Sequence, residues 1–113
     1  MNTLKKDKEF QSIYNQGKKT FGYYSLIFFK KNSNNANNCG FVASKKIGNA
    51  VCRNRLKRLY REYYRKNEKF IKKSYDIIFV CKKIAGKNIK NIKYEDIEKD
   101  MVKIFKTSNL FML

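Results

Sequence analysis

Ser44-Lys45-Lys46-Ile47-Gly48-Asn49-Ala50-Val51-Cys52-Arg53-Asn54-Arg55-Leu56-Lys57-Arg58-Leu59-Tyr60-Arg61-Glu62-Tyr63-Tyr64-Arg65 is the stretch on which the reading of this 113-residue chain turns. Ile47-Gly48-Asn49 breaks the segment before it. Asn49 is placed as the N-cap of a helix from Ala50 to about Arg65, or on to Phe70, because its side chain can accept from an otherwise unpaired first-turn N–H. Cys52, Leu56, Leu59, Tyr60 and Tyr63 recur at three- and four-residue steps and predict an inward stripe. Arg53, Lys57, Arg61 and Arg65 form one ridge and Asn54, Arg58 and Arg61 its neighbour, both expected opposite the Cys52-Leu56-Leu59-Tyr63 stripe. One side of the helix is read as core and the other as a basic surface.

Outward from this helix the elements are shorter. On the N-terminal side, Gly40 to Ser44 reads as a strand, and Tyr23 to Phe29 as another, rich in aromatic and β-branched residues. The Asn-rich connection between them is long enough for an open hairpin, and its composition also fits the drift of an AT-rich genome. Leu4, Phe10, Ile13 and Tyr14 suit a short helix ended by Gly17. On the C-terminal side, Tyr75 to Cys81 is nearly continuous in apolar residues, as in a central strand. Lys82 to Lys93 reads as a basic connector. Tyr94 to Lys106 closes the chain as a helix with Glu95, Asp96 and Glu98 in its first turn and Ile97, Met101, Ile104 and Phe105 facing inward. The expected order is α-β-β-α-β-α, an α+β chain with residues 1–113 as a single domain.

The charge is extreme: 27 Lys and Arg against 9 Asp and Glu give a formal net charge of +18. Such a field calls for a polyanion. No stretch approaches the roughly 20 apolar residues of a membrane span, and the first residues lack the apolar core of a signal peptide, so nucleic acid is preferred to a membrane. Nine Phe and eight Tyr supply enough bulk for a folded core. Although Lys dominates the cations, all five Arg fall within residues 53–65, where Glu62 is the sole acid. A guanidinium grips phosphate with two parallel N–H groups and stacks on bases, as an ammonium does not. Lys45 and Lys46 precede a helix N-terminus, itself favourable to phosphate. Phe10, Tyr14 and Phe28 fit either core packing or a groove that stacks unpaired bases, and spacing leaves both open.

Catalytic chemistry is scarce. The chain has no His, which excludes imidazole acid–base catalysis and His-ligated metal. The carboxylates are mostly interleaved with Lys, and Cys39, Cys52 and Cys81 form no C-x-x-C pair, which suggests free thiols in a reducing cytoplasm.

Ser44 through Arg58 closely resembles the signature of the bacterial ribonuclease P protein subunit, supported by Leu4-Lys5-Lys6, Glu9-Phe10, Gly17, Cys39-Gly40-Phe41 and Asp76-Ile77-Ile78. The resemblance implies an α/β sandwich with a left-handed βαβ crossover, against the right-handed default. It implies an accessory subunit of a tRNA 5′-maturation endoribonuclease whose catalytic RNA removes the leader of precursor tRNA, with Mg²⁺ held mainly by the RNA subunit and substrate phosphates and with no obligatory protein partner. It also implies roles: Lys45, Lys46, Arg53, Asn54, Arg55, Lys57, Arg58, Arg61 and Arg65 on the catalytic RNA near bound metal, and Phe10, Tyr14 and Phe28 in a cleft for the single-stranded leader. Charge and size alone fit a ribosomal or general RNA-binding protein equally; a protein-only nuclease is a remote third reading.

Overall fold

The apolar run Tyr75–Cys81 becomes the middle strand of a five-stranded sheet in the computed structural model, which describes residues 1–112. In chain order the elements are β1 (Asn2–Thr3), α1 (Asp7–Gln16), β2 (Lys18–Phe21), β3 (Ser25–Lys31), β4 (Asn38–Val42), α2 (Ala50–Asn67), β5 (Tyr75–Cys81), α3 (Lys83–Lys87) and α4 (Tyr94–Thr107), with single 3-10 turns at Lys45–Ile47 and Glu68–Phe70. The expected mixed α+β fold is present, with β1, β2 and α3 added to the predicted elements.

The strands lie in the order β1-β4-β5-β3-β2. β5 runs parallel to β4 and antiparallel to β3, so β4, α2 and β5 form a βαβ unit. The Asn-rich connection, long enough for an open hairpin, does not form one: β5 lies between β3 and β4. The asparagines hold the loop in place instead. Asn32 and Asn38 each donate to the Asp76 carboxylate, at 3.0 and 2.9 Å, and the Asn37 amide bridges the Lys72 carbonyl and the Tyr75 N–H. Compositional drift is thus an insufficient account of Asn32, Asn37 and Asn38. The hairpin that does form joins β2 to β3 through Gly22-Tyr23-Tyr24, whose N–H groups at Tyr23 and Tyr24 are received by the buried Asp100 carboxylate of α4.

The pleat sends alternate residues to opposite faces. Ile27, Phe29, Cys39, Ile77 and Phe79 face α2 and α4, where Leu56, Tyr60, Tyr63, Tyr64, Ile97, Met101, Ile104 and Phe105 complete the main core. Ser25 is buried there too, its hydroxyl hydrogen-bonded to that of Tyr60. α1 packs on the other face over a small cluster of Leu4, Ile13 and Ile78. Phe10 sits flush on Gly40, where an added Cβ would lie 2.5 Å from the ring.

Candidate nucleic-acid interface

α2 starts where the sequence places it. The Asn49 side chain accepts from the Cys52 N–H at 2.9 Å, and the helix runs to Asn67 before tightening into the Glu68–Phe70 turn. The buried stripe is Leu56, Tyr60, Tyr63 and Tyr64, while Cys52 and Leu59 lie half-buried on its flank. Tyr64 rotates the stripe away from the predicted axis, and this changes the reading of the arginines.

Asn54, Arg58, Arg61 and Arg65 are exposed, together with Lys45 and Lys46 on the preceding turn, and Lys57 is half-buried beside them. Among the described residues the single ion pair is Lys66 with Glu62, at 3.0 Å and one turn beyond most of this surface, so the basic face is not neutralised by the protein's own acids. Arg61 is the best anchored of the set: its guanidinium lies 5.3 Å from the centre of the Phe41 ring, which stacks at 5.0 Å on Phe79 in the core. A cation held over an aromatic ring loses less freedom when it binds an anion.

Two members of the predicted face stand elsewhere. Arg55 turns to the α3–α4 connection, where its two terminal nitrogens donate to the carbonyls of Ile89 and Ile92, both at 2.7 Å. Its fork is occupied by backbone and fastens residues 89–92 to α2. Arg53 does not oppose the stripe, since it precedes Leu56 and Tyr60 by three and seven residues on the same side. It is half-buried with its Nε enclosed and unpartnered.

The three predicted cleft aromatics do come together. The Tyr14 ring meets Phe28 edge-on at 4.8 Å and Phe10 lies 6.4 Å from Tyr14, all three half-buried. Val42 and Val80, partly covered and packed against the cluster of Leu4, Ile13 and Ile78, continue the floor from β4 and β5. Burial raises the Tyr14 phenol above its usual pKa, so the ring enters this surface as a neutral group. Lys30 crosses the rim to donate to the Ser12 hydroxyl at 2.9 Å. Sequence reasoning passed over Lys19 and Phe21 of β2, which share this face because Lys19 pairs with Phe28 and Phe21 with Leu26. The signal available was their alternation, a cation and an aromatic two residues apart.

The arrangement offers a rigid basic ridge for phosphates and, on the opposite side of the sheet, a half-open aromatic floor for flat apolar groups. The sequence matches the protein family described as Ribonuclease P over residues 1–109. It is 59% identical to the ribonuclease P protein component of Fusobacterium nucleatum, over 97% of this chain and 99% of that one, and 38% identical to that of Alkaliphilus metalliredigens, over 96% and 95%. The ribonuclease P protein of Thermotoga maritima superposes with a TM-score of 0.87 at 27% identity, covering 95% of this chain and 97% of that one. That of Staphylococcus aureus gives 0.86 at 26% identity and covers 99% of each. The signature, the superposition of the fold and the whole-length similarity agree, and the chain belongs to the ribonuclease P protein family.

Proposed function

We propose that this chain is the cytoplasmic protein subunit of a ribonuclease P ribonucleoprotein, in which a catalytic RNA removes the 5′ leader of precursor tRNA and the protein holds both RNAs. The observation that carries this reading is the pairing of an unneutralised Arg/Lys/Asn face on α2 with a half-open aromatic cleft under α1. The first suits a structured RNA backbone, where guanidinium groups displace counterions from phosphates. The second suits unpaired bases, which are recognised by stacking on aromatic rings.

Asn54, Lys57, Arg58, Arg61 and Arg65, with Lys45 and Lys46, are the residues assigned to the catalytic RNA; Phe10, Tyr14 and Phe28 are assigned to the leader. Arg53, half-buried with its Nε enclosed, stands apart from this set. Mg²⁺ enters as an ion held by phosphates of the RNA subunit and the substrate. Among the described residues no three carboxylate or thiol groups gather to hold a cation.

The test is reconstitution. The purified chain alone should cleave nothing; added to its cognate catalytic RNA, it should lower the Mg²⁺ concentration required for cleavage and favour precursor over mature tRNA in a leader-dependent way. Absence of binding to that RNA overturns the proposal. Equal affinity for precursor and mature tRNA would return the protein to a general RNA-binding role.

A further inference from the structure

Phe21 is 57% exposed at the end of an edge strand. Its surroundings are specific. The register of β2 on β3 places Phe21, Lys19, Leu26 and Phe28 on one face of the sheet, and the Lys19 ammonium stands 5.7 Å from the centres of both the Phe21 and Phe28 rings. One cation is thus shared between a cleft aromatic and an exposed one. Diagonal neighbours across an antiparallel pair are about 7–8 Å apart, a step that successive splayed nucleotides of an extended strand can follow.

We infer that the leader-binding track does not end at Phe28 but crosses the sheet edge onto β2, with Lys19 on a phosphate and Phe21 as a stacking platform for a base further out on the leader. The occupant is single-stranded RNA rather than protein, because the patch joins a ring to a cation continuous with the aromatic cleft, on a chain of net charge +18. This inference rests on the leader-in-cleft reading above and extends it by one platform. Phe21 then sets how far along the leader this protein senses sequence and length, whereas Phe10, Tyr14 and Phe28 act on the nucleotides nearer the cleavage point.

The decisive experiment measures the affinity of the reconstituted ribonucleoprotein for precursor tRNAs whose 5′ leaders are lengthened one nucleotide at a time. Wild type should gain affinity in steps, with one further step when the leader reaches β2. Phe21→Ala should bind short-leader substrates like wild type and lose only that outer step, a loss of roughly 5-fold or more for a stacked base; Phe21→Trp should keep it. Thermal midpoints should be unchanged in both, since the ring is mostly outside the core. Phe10→Ala and Tyr14→Ala, run alongside, separate the two levels of the argument. If they lower leader affinity while Phe21→Ala does not at any length, the extension across β2 is wrong and the cleft stands. If neither they nor Phe21→Ala alters leader affinity, the cleft reading itself fails and takes the extension with it.

Discussion

Against α2 and α4 the sheet encloses Ile27, Ile77 and Phe79 completely, whereas against α1 it leaves Phe10, Tyr14, Phe28, Val42 and Val80 only partly covered. Both faces are built from the same residue types on the same strands, so hydrophobic patterning does not distinguish them. The length of the covering element does. An 18-residue helix together with a 14-residue one closes the first face; a 10-residue helix spans about 15 Å and cannot close the second. Apolar area left open costs stability that complete burial would have contributed, at about 25 cal/mol per Å². A sheet that is sealed on one side and open on the other has its stability concentrated on the sealed side.

That division is open to direct attack. Phe79 touches Phe41, Tyr60, Tyr64 and Phe105 at ring separations of 5.0–6.2 Å and is fully buried. Phe79→Ala should lower unfolding free energy by about 3–5 kcal/mol, read by chemical denaturation. Phe28→Ala, one strand away on the open face, should cost much less stability and instead weaken precursor tRNA binding by about 1–3 kcal/mol. Equal destabilisation by the two, with leader discrimination intact, would place Phe28 in a core and remove the distinction.

Within α2 the same contrast separates two arginines three residues apart. Arg55→Ala removes two charged hydrogen bonds to the Ile89 and Ile92 carbonyls and should destabilise the fold by about 2 kcal/mol. Arg55→Lys should recover little, because an ammonium cannot reproduce the fork. Arg58→Ala should leave stability within about 0.5 kcal/mol of wild type while making the salt dependence of RNA binding shallower by roughly 0.7 to 0.9 in slope for each phosphate it no longer neutralises. The opposite pattern, a stable Arg55→Ala with a shallower slope, would restore Arg55 to the RNA face.

These residues also mark where the sequence is informative. Asn49, the helix it starts, β5 and α4 are legible because capping and periodicity are local signals of many residues each. β2 was missed because Lys18-Lys19-Thr20-Phe21 is four residues long with no tight-turn pair after it, and β1 because two residues carry no pattern. The β4-β5-β3 order depends on pairings across tens of residues, which local propensity does not encode. The basic character of the outer face of α2 was legible; the turn of Arg55 away from it was not, since its carbonyl partners lie more than thirty residues away. The cleft was visible as three aromatics, but their partial exposure follows from how much of the sheet α1 covers, a tertiary fact.

The smallest expected effect reports on the sealed face most directly. Cys39 and Cys81 both belong to it, and burial pushes each thiol up to about 12, while Cys52 lies half-buried on the flank of α2. Alkylation requires the thiolate. A raised pKa keeps the neutral form across neutral and mildly alkaline solution, and enclosure denies the reagent access, so both effects act in the same direction. Iodoacetamide should therefore modify Cys52 first, with Cys39 and Cys81 reacting only at the rate of unfolding, as mass spectrometry of partly labelled protein would resolve. In Phe79→Ala the two slow cysteines should accelerate, because the cavity and the lower stability raise the open population; in Phe28→Ala they should stay slow. Fast labelling of Cys39 or Cys81 in the wild-type protein would mean that the α2 and α4 side is opening readily, and that the two faces differ less in stability than their burial implies.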